Sequence, residues 1–386
     1  MSCFAHRLIF GLSLFSLFLF LSCGRGETGK SNDSNTGSVS LFITDAPSDD
    51  FDSVYVTISE ISLLGGSEKS VEDENDTQDA EKNNRITIFS GEKTIDLLAL
   101  RDHAELFAMR SDVPTGMYRK LRMILKQNGL ELVRKDDEGN VIERVFPSLT
   151  GNRKIDLLAR KGLEVRPGEN LSIQIDIDAG KSLHIIQTGN GAYRFRPVVF
   201  IEAVSGAIQT KLVRQSGELT EISVDGENII VCRKAEDSSS CMQADITSAS
   251  IFDELAEMVE LTNSDVGKYV TVIGHVREAQ NGVNGMPIVE VALVQIAPIG
   301  SYHRLYANLQ AESAELPGDM MLETSEGEIL RGRLQPNARI FSRAGAPLTV
   351  ESLTIGKKMK LEGVFVDIDG ESVFLITLII VSPEAP

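Results

Sequence analysis

Asp45, Asp49, Asp50 and Asp52 crowd into the stretch from Ser40 to Leu63, SLFITDAPSDDFDSVYVTISEISL. Carboxylates this close could grip a cation or attack a substrate. The same residues also suit a turn between two strands that pair. Pro47 lacks an N–H and disfavours helix at Ala46. Asp45 can accept from nearby backbone N–H groups, and the other acids keep the connection wet and block edge pairing. The turn explains every residue; if a ligand does bind here, Asp45 is the residue expected to touch it.

Asp176 and Asp178 close the run LSIQIDID, residues 171–178. Residues two apart in a strand share a face. With His184 folding back after Ala179-Gly180-Lys181, the three could hold a divalent cation. The alternative is a solvated face opposite Ile173, Ile175 and Ile177. The run DIDGE, residues 367–371, also resembles a cation loop, but Asp-Gly between two strands favours a tight turn. The acid-rich segment from Ser67 to Asn84 lacks the order of alternating acids and glycine that an EF-hand needs, and reads as a loop. The five histidines are scattered along the sequence. No metalloprotease, nucleophile-elbow or phosphate-loop signature occurs. The sequence therefore assigns no catalytic residue and no cofactor.

Four cysteines occur. Cys3 lies in an N-terminal leader, and Cys23 ends it. The apolar run from Leu8 to Leu21 is shorter than the ~20 residues a membrane-crossing helix needs and fits an export signal. Leu21-Ser22-Cys23-Gly24 resembles a bacterial lipobox, with Phe20 where leucine is usual; the alternative is a plain cleaved signal. A lipidated Cys23 would anchor the chain through acyl groups worth about 0.8 kcal/mol per buried CH₂, and Gly24 resembles the pattern sent on to an outer membrane. Cys232 and Cys241 remain for the exported part. Their spacing suits a small disulfide loop in an oxidising compartment, worth roughly 2–3 kcal/mol; two free thiols are the alternative.

The formal net charge is −18, from 56 acids against 38 lysines and arginines. So acidic a surface repels phosphate backbones and argues against a nucleic-acid partner. Hydrophobic residues at 42% imply a folded chain.

These residues must be positioned by β structure. After a polar tether over 24–37, Leu41 and Ile43 alternate with Ser40, Phe42 and Thr44, and Val54, Val56 and Ile58 alternate with Tyr55, Thr57 and Ser59. The phase slips after Glu60, which predicts a bulge. A short helix is expected around His103 to Met109, a strand over 117–125, and a hairpin turn over 135–141. In the C-terminal half, Ser250-Ile251-Phe252 matches Arg339-Ile340-Phe341. The segment VGKYVTVIGHV, residues 266–276, matches IGKKMKLEGVF, residues 355–365. Both pairs lie 89 residues apart. A repeat in register over short strands predicts two small OB-like barrels.

Several stretches of the first half read together: SLFITDAP over 40–47, VYVTISEI over 54–61, IDLLAL over 95–100, VPTGMYRKLR over 113–122, IDID over 175–178 and YRFRPV over 193–198. In this order they resemble domain of unknown function family 4382, a group of exported bacterial lipoproteins, over about residues 39–203. The resemblance implies a transthyretin-like β-sandwich and supplies no catalytic residue. The C-terminal half is similar, more loosely, to another uncharacterised family of small β-barrel modules.

The expected organisation is all-β. A signal occupies 1–23, a tether 24–37, a β-sandwich 38–203 and two barrel repeats 204–300 and 301–386. The expected function is non-enzymatic: a lipoprotein of the cell envelope, anchored by lipid in the outer membrane, presenting β modules to an envelope protein or polysaccharide. Alternatives are a glycan- or cation-binding accessory protein and a hydrolase that uses paired carboxylates. The absence of Trp, with only 6 Tyr, weighs toward protein contacts over sugar stacking.

Overall fold

The computed structural model describes residues 35–46, 51–65, 85–100, 102–136, 140–149, 153–178, 194–195, 199–203, 211–312, 318–324 and 327–382. The signal, Cys23 and the tether up to residue 34 lie outside the described residues; Thr36 and Gly37, expected at the end of the tether, already belong to a strand and pair with Pro114 and Val113. Among those described, regular structure is strand with a few one-turn 3-10 segments.

In the first part, strands run in the order β1 (Thr36–Ala46), β2 (Ser53–Gly65), β3 (Arg85–Asp96), β4 (Glu105–Pro114), β5 (Gly116–Lys135), β6 (Val141–Val145), β7 (Ser148–Leu149), β8 (Lys154–Val165), β9 (Asn170–Asp178), β10 (Arg194–Phe195) and β11 (Val199–Ala203). One sheet has the order β11-β9-β1-β4; the other pairs β3-β2-β5-β6, with β8 also on β5. Leu41 and Ile43 of the first sheet share a core with Val54, Val56, Ile58 and Leu121 of the second. This is the expected sandwich. The predicted bulge is present: β2 shifts register between Ile58 and Glu60 against both β3 and β5.

Two expectations fail here. β1 and β2 do not pair with each other. β1 pairs with β4 and β9, and β2 with β3 and β5, so the acidic connection crosses from one sheet to the other. The predicted helix at 103–109 is the start of β4, preceded by a 3-10 turn over Leu98–Leu100. The cause is burial on both faces. Phe107 and Ala108 pack into the sandwich core, whereas Ala104 and Leu106 pack into the next module. A strand covered on both sides reads as an unbroken apolar run, which periodicity cannot separate from a helix.

The second half holds two closed barrels. The first comprises β12 (Val213–Ile222), β13 (Asn228–Cys232), β14 (Cys241–Asp245), β15 (Ser250–Phe252), β16 (Tyr269–Asn281) and β17 (Pro287–Ile296). It closes in the order β14-β13-β12-β16-β17 and back to β14. The second comprises β18 (His303–Glu312), β19 (Asp319–Thr324), β20 (Ile329–Ser342), β21 (Lys358–Ile368) and β22 (Glu371–Val381), closed as β18-β19-β20-β22-β21. The path is the same in both, and β20 does the work of β14 and β15 together. In each barrel this third element pairs parallel with the last strand.

The sequence repeat is a structural repeat. Phe252 bridges Met258, and Phe341 bridges Pro347, each 89 residues on. Gly267 and Gly356 both take positive φ in the Gly-Lys turn. Gly274 and Gly363 mark the same bulge in β16 and β21. The expected Asp-Gly turn is present as well. Asp369 and Gly370 both have positive φ, and the Gly370 N–H donates to Asp367 Oδ1 at 2.9 Å. Cys232 and Cys241 stand opposite each other on β13 and β14 and form a disulfide, with Cα atoms 4.0 Å apart.

The bulge glycines are sites where no side chain fits. A Cβ on Gly363 would lie 2.0 Å from the Leu375 carbonyl oxygen, and one on Gly274 would lie 2.1 Å from that of Glu290. Gly363→Ala and Gly274→Ala are each expected to cost about 2–3 kcal/mol through this overpacking. Urea unfolding measures it, and unchanged stability in both variants would refute the close approach.

Candidate functional site

Most of the side chains singled out from sequence lie outside the described residues. Asp45 ends β1 with its backbone opposite Ile177, but its side chain lies outside the described residues, as do Asp49 and Asp50. Asp52 does structural work: its Oδ2 accepts from the Lys135 N–H at 2.6 Å. Asp176 is half-buried on β9. The side chain of Asp178 and all of His184 lie outside the described residues. Among the described residues, no cluster of three or more His, Cys, Asp or Glu side chains is placed to hold a metal.

What sequence reading missed is a buried charged junction where the sandwich meets both barrels. Asp102 and His103, just before β4, are 5% and 2% exposed. Lys360 and Glu362 of β21 are 3% and 2% exposed. Asp102 Oδ2 accepts from the Tyr306 hydroxyl at 2.8 Å, with Lys360 Nζ at 3.6 Å; Arg343 Nε stands 3.3 Å from Oδ1. Glu362 Oε1 lies 3.6 Å from Arg214 Nε of β12. On the sandwich side, Glu105 is 3.0 Å from Arg233 Nη2 and 3.5 Å from His103 Nε2. The backbones of the first two modules are joined too. Ala104 N–H donates to Leu212, and Arg214 N–H to Ala104, both at 2.8 Å.

Burial sets the protonation states. Desolvation lowers the His103 pKa to about 4, so the imidazole is neutral. Desolvation alone would raise Glu105, but His103 and Arg233 outweigh it and bring its pKa to about 2. Glu362 is likewise opposed by burial, yet held below the usual carboxylate range by Arg214 and Lys360. Lys360 is lowered by its own burial. Lys93, whose ammonium donates to the Phe107 carbonyl, is lowered to about 7, chiefly by desolvation and then by Arg233. Each carboxylate here is spoken for by a cation.

Next to this junction an open groove runs along the first barrel. Its outer part, about 710 Å³, is bordered by Asp253, Glu254, Glu260, Asp265 and Lys268. Two of these acids are turn-formers. Asp253 Oδ1 accepts from the Leu255 and Glu257 N–H groups, and Asp265 caps Thr262 while pairing with Lys268 at 2.7 Å. Tyr269, Ala297 and Pro298 lead on to an inner cleft of about 260 Å³ between the barrels. There Arg214, Arg304, Gln295 and Tyr302 face one space. The arrangement can hold a ligand by hydrogen bonds and charge. The signal for the junction was present only as charges on otherwise apolar strands, KMKLE over 358–362 and VRQS over 213–216.

Residues 36–197 match the family model described as Domain of unknown function (DUF4382). This is the family that the motifs from Ser40 to Val198 resemble. No curated protein matches the chain.

The buried histidine makes stability depend on pH in a definite direction. Its folded pKa of about 4 lies below the ordinary 6.5. Between those values the unfolded chain takes up a proton that the folded chain refuses, so acidification weakens the fold. From pH 6.5 to 5, above the range where most carboxylates titrate, His103 should remove about 2 kcal/mol. Urea midpoints at these two pH values should show the loss in the wild type and a clearly smaller one in His103→Asn, where His275, also lowered by its burial, still contributes. An equal slope in both proteins would show that His103 is not held neutral.

Proposed function

We propose that this protein is a lipid-anchored component of the cell envelope that binds an envelope partner through its β modules and carries out no catalysis. The observation that carries the reading is the junction. Sandwich and barrels share hydrophobic cores and buried ion pairs, so the chain from β1 onward presents one fixed surface rather than beads on a string. A fixed surface keeps the ordering cost of binding low. The lipobox at Cys23 and the polar segment 24–37 support attachment through a tether, and Gly24 favours the outer membrane.

The carboxyl groups support the non-catalytic reading. Glycoside hydrolysis needs one acid whose pKa is raised so that it can donate a proton. Among the described residues, every carboxyl with a displaced titration is displaced downward, by arginine, lysine or histidine, or by hydroxyl or backbone donors. A second reading, glycan binding, is favoured by one specific feature. Two of the six tyrosines, Tyr269 and Tyr302, line the inner cleft.

Attachment is tested by replacing Cys23 with Ser and fractionating cells. The wild type should sediment with membranes and the variant should move to the soluble fraction. A variant that stays in the membrane fraction would remove the lipid anchor from the proposal. Cross-linking of the full exported chain in intact cells should then capture an envelope protein or polysaccharide.

A further inference from the structure

We infer that the cleft between the two barrels binds a small carboxylate ligand that also carries hydroxyl groups, with the dimensions of a single sugar acid. The inference rests on reading the chain as a binding protein, and adds a site and a ligand class.

The two arginines are one position of the repeat used twice. Arg214 sits on β12 opposite Ile273 of β16, and Arg304 sits on β18 opposite Glu362 of β21. Ile273 and Glu362 are 89 residues apart, the spacing of the repeat. The duplication therefore places a guanidinium on the first strand of each barrel, and both line the same cleft. Arg214 is largely covered, at 15% side-chain exposure. Its Nη1 donates to Ser216 Oγ at 2.9 Å, while its Nε has no hydrogen-bond partner. Arg304 is exposed and forms no hydrogen bond or ion pair among the described residues. The residues lining the cleft include these two guanidiniums and no carboxylate; Glu362, buried behind the wall, pairs with Arg214 and leaves Arg304 as the exposed charge, in a chain whose net charge is −18. Two guanidiniums exclude a cation and suit a planar carboxylate, which they can bind with paired N–H donors.

The hydroxyl requirement comes from Gln295. It is 2% exposed and lines the cleft. Its Nε2 donates to Thr377 Oγ1 at 3.2 Å, but its Oε1 has no partner. A buried acceptor left unpaired is costly, and a donor from a ligand relieves that cost. A ligand O–H is such a donor; sulfate at neutral pH has none, and phosphate keeps one or two but on a compact tetrahedral anion with no planar carboxylate beside them. Tyr269, Tyr302 and Pro298 give the cleft walls that a ring can lie against. Its volume of about 260 Å³ is below the ~300 Å³ where drug-sized pockets begin, which limits the ligand to about one ring. The acid could arrive free or as one residue of an acidic polysaccharide.

Calorimetric titration of the full exported chain with galacturonate, trigalacturonate, galactose and inorganic phosphate separates these cases. Galacturonate or its trimer should bind, and galactose and phosphate should bind at least 10-fold more weakly. Binding of the monomer identifies a free acid as sufficient; binding of the trimer alone identifies a polysaccharide source. Arg304→Gln breaks no hydrogen bond or ion pair among the described residues, should shift the unfolding midpoint little, and should weaken binding at least 10-fold. Arg304→Glu should abolish it. Failure of both acids to bind, equal binding of galactose or phosphate, or full affinity in Arg304→Gln would each overturn the inference. If the acids fail while cross-linking still captures an envelope partner, the ligand class falls and the binding role stands.

Discussion

A carboxylate from one module, closed in by groups from another, fixes how this chain is put together. Asp102 belongs to the sandwich, yet Tyr306, Arg343 and Lys360 around it all come from the second barrel. Apolar contact alone has no direction, and two such surfaces can slide past each other at little cost. Buried ions cannot slide. Removing one partner from such a group typically costs 3–5 kcal/mol, because the remaining charge is stranded away from water. Lys360 stands between Asp102 and Glu362, and Glu362 leads on to Arg214 in the first barrel. One chain of alternating charges thus links the three modules in a single register.

The two barrels meet through matching faces. Phe252 and Phe341 are repeat mates and lie in one shared cluster, as do Leu293 of β17 and Leu378 of β22. This is the pattern of a symmetric dimer, in which one patch packs on its own copy, here written within one chain. Fusion frees the copies to diverge. Thr271 and Ile273 of β16 correspond to Lys360 and Glu362 of β21, 89 residues later. At these two positions the first barrel is uncharged, whereas the second carries the charges that meet Asp102 of the sandwich and Arg214 of the first barrel. Arg214 and Arg304 did not diverge, which is why a cleft with two guanidiniums exists at all.

Much of the fold was legible in sequence because it depends on local alternation and turn chemistry. The strands of the sandwich, the slip after Glu60, the Asp-Gly turn at 369–370, the Cys232–Cys241 bridge and the repeat all follow from residues near one another in the chain. The site was much less legible. In KMKLE, Met359 and Leu361 point into the barrel, and Lys360 and Glu362 occupy the alternate positions that normally face water. Nothing local reveals that another module covers that second face. The same covering made β4 read as a helix, because burial on both faces erases the period of two. Sequence pattern reports the inside of each module well. It is silent on which outer faces are later buried, and in this protein those faces form the site.

A basic cleft in a strongly acidic protein is consistent once distance is considered. At physiological salt, exposed charges are screened beyond about 8 Å. The −18 of the whole chain is therefore felt mainly by large, extended partners, and a free acid or short oligomer meets less of it than a long polyanion does. A small ligand inside the inner cleft meets the nearest groups first, Arg214 and Arg304, in a setting where water is partly excluded and each interaction counts for more. The acids of the outer groove stand on the approach to this cleft, with Asp265 tied to Lys268 and Asp253 to backbone N–H groups. Their engagement lowers the barrier they would otherwise raise against an incoming anion. Long-range charge then favours a short acid over a long one, while short-range charge selects the functional group.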